Sequence, residues 1–317
     1  MTNFILRRLL ATLPVVMIVA VLVFLMLRLM LWITGDDPAA IMAGDNATTE
    51  QIAIIRKRLG LEEPFFTQFF SWLWQLLQGD LGESYFFKKT VVALIGERIG
   101  PTLSLSFVTL TFAVIVAVPL GVIAARFHGT FIDWLVMGFS VMGFSVPVFV
   151  VGYCLIYVFA IELGWLPVQG YKPLSAGVGP WLYQLILPAC TLSVIYIALI
   201  ARITRTSVLE VLSEDYIRTA RAKGQTESRV LFRHALRNAA VPIVTVIGIG
   251  VALLIGGAVV TESIYTIPGL GKLVVDAVLG RDYPTIQAVI LLFSFVYVLI
   301  NLAVDIIYTL LDPRIRY

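Results

Sequence analysis

Charge is scarce in this 317-residue sequence: Asp, Glu, Lys and Arg make up 14% of it, against about a quarter in soluble domains. Histidine and cysteine are scarcer, with two of each. His128 and His234 form no metal-spaced cluster, and no H-E-x-x-H run occurs. Cys154 and Cys190 both lie in apolar runs. That excludes a disulfide framework or a C-x-x-C motif, and it reads as small buried hydrophobes. The G-x-x-x-x-G-K-[ST] phosphate loop is missing, so ATP is not bound here in that manner. A net charge of +3 gives no footprint for nucleic acid. No low-complexity segment and no clear internal repeat is present. A membrane enzyme is disfavoured, and no catalytic, cofactor-binding or metal-binding residue is expected.

What is abundant is apolar. Hydrophobic residues make up 59% of the chain and the mean hydropathy is +0.94. About 20 residues of helix, rising about 1.5 Å each, cross a hydrocarbon core of about 30 Å. Six runs reach that length: Leu9–Leu31, Pro101–Ala125, Trp134–Ile161, Trp181–Ile203, Ala239–Val260 and Thr285–Leu311. The first follows Arg7 and Arg8, yet it is too long for a signal-peptide core and no convincing cleavage site follows it. It reads as a retained span. Six spans put both termini on one side. With the termini inside, basic residues outnumber acidic ones in the cytoplasmic segments, and acidic ones dominate outside. The expected fold class is an all-α membrane protein with six transmembrane helices, a long outer loop after the first, and a polar cytoplasmic loop between the fourth and fifth.

The outer loop, Trp32 to Gly100, carries its own signals. Thr48 and Gln51 form a capping box ahead of "IAIIRKRL". Pro64 opens "PFFTQFFSWLWQLL", which is too short to span and suits an interfacial helix or one lying against the spans. "GDLG" ends it as a turn. Small residues at i and i+4 mark two packing ridges, Ala117/Gly121/Ala125 and Gly248/Ala252/Gly256. Pro119 and Pro147 are expected to kink their spans. Ser294, Tyr297, Asn301, Asp305 and Tyr308 share one face of the last span. That stripe is either pathway-lining or a structural hydrogen-bond network. Thr102, Ser106 and Thr109 are read as hydroxyls satisfying their own helix.

Against this oily background, "SEDYIRTARAKGQTESRVLFRHALRNA" (Ser213–Ala239) packs nine Asp, Glu, Lys and Arg into 27 residues. Ser213 is expected to cap a helix that Glu214 and Asp215 favour at its positive end and Gly224 stops. Thr226 would cap a second helix from Glu227, with Arg229, Arg233 and Arg237 on one face and Leu231 and Ala235 on another. A solvated or headgroup-facing basic loop would look similar.

The pattern nevertheless resembles the cytoplasmic "EAA" loop of ABC importer permeases. Thr219 and Ala220 take the two Ala places, Gly224 the Gly and Leu236 the Leu of the terminal motif; Arg218, His234 and Arg237 depart from it. "YIRTARAKG…RVLFRHALRNA" is similar to the version in the first-position permease of the dipeptide/oligopeptide branch. "LRRLLATLPV", "GDLGES", "TESIYTIPGLGKLVVDAVLGRDYPTIQA" and "LLDPRIRY" resemble that subunit in the same order. "TGDDPAA" (Thr34–Ala40) departs from a shorter G-D-P-A.

The resemblance implies residues 1–94 as a first span with its outer loop, 95–311 as the permease domain and 312–317 as a cytoplasmic tail. It implies half of a peptide pathway in the bacterial inner membrane. A second related permease would form the other half, two cytoplasmic ATPases would bind ATP and Mg, and an extracytoplasmic binding protein would deliver cargo. Asp215, Tyr216, Ile217, Arg218, Thr219, Ala220, Arg221, Ala222, Lys223 and Gly224 would form the coupling helix. Tyr216, Ile217 and Ala220 would present an apolar edge to the ATPase, and Arg218, Arg221 and Lys223 would pair with its acids. Gate or pathway candidates are Glu262, Tyr265, Pro268 and Gly269 in the last outer loop, with Tyr297, Asn301 and Asp305. The same machinery carrying glutathione, a nickel complex or an oligosaccharide is the alternative, followed by a proton-coupled carrier built on Asp305.

Overall fold

The structure, a computed structural model, describes residues 2–35, 37–44 and 47–311, without the side chains at 2–11, 13, 27, 30, 31, 34, 58, 255, 257 and 308–311. Most of "LLDPRIRY", the 312–317 tail, Asp36 and the side chains of Arg7, Arg8 and Tyr308 therefore lie outside the described residues. Those residues are overwhelmingly helical, with an isolated bridge between Glu83 and Thr90 and no strand among them.

The order is α1 (Thr2–Thr34), α2 (Pro38–Ala43), α3 (Thr49–Arg58), α4 (Phe65–Leu77), α5 (Val91–Arg126), α6 (Phe131–Ser145) and α7 (Val148–Leu155), which runs on into a π-helical segment, Ile156–Glu162. Then come α8 (Val178–Leu212), α9 (Asp215–Ala222), α10 (Glu227–Arg229), a second π segment (Val230–Ala235), α11 (Leu236–Asn238), α12 (Ala240–Ile264), α13 (Leu270–Leu279) and α14 (Tyr283–Leu311). Among the described residues, Val91–Arg126, Val178–Leu212 and Tyr283–Ile307 are long and apolar enough to cross a membrane. Two bent pairs raise that to five, and α1 adds the shorter apolar stretch Pro14–Met26.

The chain divides into two compact units, Met1–Ile99 with Leu273–Val296, and Gly100–Lys272 with Tyr297–Tyr317. In the first, Phe24 of α1 meets the rings of Phe65, Phe69 and Trp72 at 5.2–5.6 Å between centroids. Phe69, Trp72, Leu73 and Leu76 share a half-buried face of α4, while Phe66, Phe70, Trp74 and Leu77 stay exposed. Of the two placements expected for this helix, the structure shows it lying against the first apolar helix. The capping box of α3 has both its arms, Gln51 N to Thr48 Oγ1 at 3.3 Å and Thr48 N to Gln51 Oε1 at 3.0 Å. Asp282, fully buried, accepts from Ser84 Oγ, from Tyr85 N at 3.0 Å and from Thr285 Oγ1 at 2.6 Å. That knot pins the 83–90 turn to the start of α14. Burial, with Asp282 nearby, pushes the Tyr85 phenol up to about 12.

The second unit is organised around α8. Leu185, Leu192 and Ile200 have no exposed surface, and α6, α7 and α12 pack on the same helix. The first ridge packs as expected: Ala117 and Ala125 are buried, and a Cβ on Gly121 would stand 2.6 Å from both Ala201 O and Thr204 Cβ. The second does so only in part. Gly248 leaves no room for a Cβ beside Val304, whereas Gly256 is open. The bend expected at Pro147 is sharper than a kink: Pro lacks an N–H and holds Val146 extended (φ −90°, ψ 123°), so α7 with its π segment lies at 105° to α6. Pro119, by contrast, sits within an unbroken α5. Cys154 is exposed and Cys190 only half-buried, so neither is the fully buried small hydrophobe expected.

Candidate functional site: a capped basic hairpin and a buried glutamate

The charged block folds into a helical hairpin. Its first arm, α9, begins one residue later than expected. Glu214 is the N-cap and makes no side-chain cap bond, while Ser213 closes α8 by donating to Glu210 O at 2.6 Å. Asp215 lies in the first turn and Arg221 in the last, each matched to the helix dipole. The stop is a Schellman motif: Gly224 N bonds Arg221 O at 2.9 Å and Gln225 N bonds Ala220 O at 3.2 Å. Gly224 sits at φ +76° with nothing within 4 Å of an added Cβ, so it is required by conformation rather than by space.

Ile217 is completely buried within this chain. That corrects the expected apolar edge, because Ile217 anchors α9 and offers nothing outward. Tyr216 is partly exposed, and its hydroxyl accepts from Asn238 Nδ2 at 2.9 Å. Arg221 is paired with Glu227 at 2.8 Å across the hairpin. Arg218, Thr219, Ala222 and Lys223 are exposed, and Ala220 is half-buried. Asp215 pairs with Arg218 at 3.5 Å in full solvent, where such a pair adds little. Apart from the partly exposed Tyr216 ring, the outward surface of α9 is therefore charged and small-residued.

The second arm carries the anchorage. Val230, Leu231 and Ala235 are buried, and Leu231 and Ala235 join Val122 and Ala125 of α5, Val208 of α8 and Ile243 of α12 in one apolar cluster. Each fully buried Val, Leu or Ile contributes about 1.5–3 kcal/mol. The hairpin is thus seated on the ends of three long helices. Beside it, a buried carboxylate holds the α5–α6 turn to α8: Asp133 accepts from Arg205 Nε and Nη2 at 2.5 and 2.7 Å and from Gly129 N at 2.9 Å. His128 Nδ1 lies 3.0 Å from both Asp133 Oδ2 and Arg205 Nη2. The Arg205 hydrogen bonds, outweighing burial and aided by Gly129 and His128, hold the Asp133 carboxyl well below the usual carboxylate range. No local signal marks this pairing, since Asp133 and Arg205 lie 72 positions apart.

At the far end of α12 the chemistry reverses. Glu262 has no exposed surface. Thr102 Oγ1 donates to its Oε1 at 2.6 Å and Lys272 N to its Oε2 at 2.9 Å, while Leu270 N donates to Thr102 Oγ1 at 2.7 Å. Glu262 and Thr102 together cap the start of α13, where backbone N–H groups lack helical partners. Thr102, read from sequence as serving its own helix, is the partner that reading missed. Gly269 leaves no space for a Cβ against the Glu262 carboxylate, and on Gly271 a Cβ would stand 2.6 Å from Val259 Cα. Tyr265, 1% exposed, shares a 2.7 Å hydrogen bond with Thr191 and donates to Gly152 O at 3.3 Å. Its carbonyl accepts from Gly170 N at 3.0 Å. Pro268 lies in this pinned turn, after Thr266 at φ +51°. The other candidates sit apart on α14, with Tyr297 and Asn301 exposed and Asp305 half-buried. Almost none of that helix's apolar window is buried.

Residues 117–317 match the family described as binding-protein-dependent transport system inner membrane component, and residues 1–106 match the companion N-terminal family of such components. The chain belongs to this family of ABC importer permeases. It is 55% identical over 314 residues, 99% of both chains, to a probable peptide ABC transporter permease protein of Sinorhizobium fredii. It is 44% identical over 317 residues, all of both chains, to a putative peptide transport system permease protein of Brucella abortus. The glutathione transport system permease protein of Escherichia coli gives the same identity over the same span. Among solved structures, the MetNI methionine ABC transporter in an inward-facing conformation matches with a TM-score of 0.58 at 20% identity, covering 70% of this chain and 97% of that one. That likeness concerns the fold alone. This permease is a multi-pass inner-membrane component and not itself an enzyme; ATP hydrolysis belongs to separate ATPase subunits.

Proposed function

We propose that this permease forms half of the pathway of an ATP-driven importer of small peptides and takes its conformational drive through α9. The observation that carries the proposal is the seating of the hairpin. Gly224 makes α9 a compact, stopped helix, Ile217 and the Leu231–Ala235 arm fix it to α5, α8 and α12, and its outer surface is left charged. A push on α9 would move three long helices together. Arg218 and Lys223 would meet acidic groups on the motor, setting register and encounter rate more than affinity. The peptide cargo is supported by the relatives named for peptides, and the one named for glutathione, itself a short peptide, falls within that class.

On this reading α1, α5, the α6–α7 pair, α8, α12 and α14 are the six spans, with both termini and α9 cytoplasmic. A second related permease, two cytoplasmic ATPases carrying ATP and Mg, and an extracytoplasmic binding protein complete the machine. Glu262, Tyr265, Pro268 and Gly269 act as a rigid outer gatepost, with the Glu262 and Tyr265 side chains turned inward. Tyr297, Asn301 and Asp305 supply the pathway face or the contact with the second permease. The test is a pull-down from native membranes with wild-type protein and Gly224→Asp. Wild type should bring down a second permease and two ATPases, and the variant should lose the ATPases selectively. Mass spectrometry of the co-purifying binding protein's ligand then names the cargo. A chain that comes down alone, yet transports in liposomes on a proton gradient, sinks the reading and moves the mechanism to Asp305.

A further inference from the structure

Within the first unit lies a cavity of about 760 Å³, and Arg28 of α1 lines it. A guanidinium in an apolar span is costly without a partner. Arg28 has half of one: its Nη2 donates to Gln68 Oε1, and its carbon Cζ stands 5.3 Å from the Phe24 ring centroid. Gln68 has nothing more to give, because its Nε2 donates to Glu63 O at 2.6 Å and Leu61 O at 3.2 Å, which also fixes which end of its amide faces Arg28. Arg28 Nε is buried without a hydrogen-bond partner among the described residues. No ion pair of the described residues includes this arginine. The guanidinium is half-buried, lines the cavity and has no carboxylate partner among the described residues, and a cation so placed asks for an anion.

The rest of the lining restricts that anion. Glu63, Asp80 and Glu83 lie at exposed positions on the rim, so a ligand with only negative charge would be repelled there. Phe24, Trp72, Leu76 and Leu291 give the cavity apolar walls. Between Arg28 and the end of α1 at Thr34 lie about 9 Å of helix rise, which puts the guanidinium near the level of lipid headgroups. The ligand must then be amphipathic, with an anion held deep, an ammonium group above it and an apolar tail. We propose that the cavity holds one aminophospholipid, its phosphate on Arg28, its primary ammonium toward Glu63, Asp80 and Glu83, and an acyl chain along Phe24 and Leu291. Choline headgroups suit it less, because a quaternary ammonium donates no hydrogen bond to the carboxylates. Glycerol headgroups suit it less because they leave the rim unneutralised.

The experiment is native mass spectrometry of the intact transporter, exchanged in turn into nanodiscs of phosphatidylethanolamine, phosphatidylcholine and phosphatidylglycerol. Wild type should retain one phosphatidylethanolamine through detergent washing. Arg28→Gln should retain it roughly tenfold less, the loss expected for a charge-assisted hydrogen bond. Glu63→Gln with Glu83→Gln, on exposed side chains that leave folding alone, should shift the preference toward phosphatidylglycerol. Equal retention by wild type and Arg28→Gln, or an unchanged headgroup preference in the rim double variant, overturns the assignment. Displacement of the lipid by millimolar zwitterionic dipeptide also overturns it, and would make the cavity a peptide site instead.

Discussion

At one end of the second unit an isoleucine and a set of apolar side chains hold a charged helix in place; at the other a buried carboxylate holds a turn. The hairpin is anchored by Ile217, Leu231 and Ala235, and it exposes Arg218 and Lys223. The 262–272 turn is anchored by Glu262, Thr102 and Tyr265, with glycines letting the backbone close over the carboxylate. Apolar anchorage is non-directional and tolerates small shifts. Hydrogen-bonded anchorage is directional, and a half-satisfied buried network is worse than none. The glutamate end is therefore held in a fixed geometry, and the hairpin end by contacts that tolerate displacement.

The contrast can be broken by substitution. Glu262→Ala strands the Thr102 hydroxyl and the α13 amides in a buried site. It should cost about 4 kcal/mol, between unsatisfied donors and a new cavity, and lower the melting temperature of the purified transporter more than any hairpin variant. If melting is unchanged while uptake falls, the carboxylate serves a partner and not the cap. Ile217→Ala should cost about 3 kcal/mol and act locally. Limited proteolysis should cut at the Gln225–Thr226 bend while the helix core stays intact, and ATPase pull-down should weaken.

Arg205→Gln leaves Asp133 buried with only Gly129 and His128. It should cost about 2 kcal/mol, discounted because part of Arg205 faces water. Because the native Asp133 carboxyl is depressed, its contribution is complete above about pH 4 and is lost as pH falls toward the native value. The acid limb of the wild-type stability curve should flatten in the variant, and a superimposable curve would count against the pair. Gly224→Ala, forced to φ +76°, should cost about 1 kcal/mol, seen as a small melting shift. Arg218→Glu should leave melting unaltered and still reduce ATPase capture. Unaltered capture would show that the exposed charges of α9 make no contact.

Much of the hairpin was legible because its signals are local. Gly224 after a helix with acids first and bases last is a stop that any nearby reading finds, and the structure supplies both Schellman bonds. The α3 capping box and the short apolar helix α4 were legible for the same reason. What the sequence misread depends on who lies across the fold. Ile217 looked like an outward edge because helical spacing says which residues share a face, not which way that face turns. Thr102 looked self-satisfied because nothing near it in sequence needs a hydroxyl; its partner is 160 positions away. Asp282 and Asp133 were passed over because their partners, Ser84 and Arg205, are equally remote.

Composition and period alone determined that this is a helical membrane chain with one dense basic hairpin, since apolar length and local caps are properties of neighbouring residues. Only the tertiary structure decided that Glu262 caps α13, that Ile217 is an anchor, and that the chain turns sharply at Pro147. Burial, long-range hydrogen bonds and the direction of a helix face are set by what packs against a residue, and that is fixed by the folded chain as a whole.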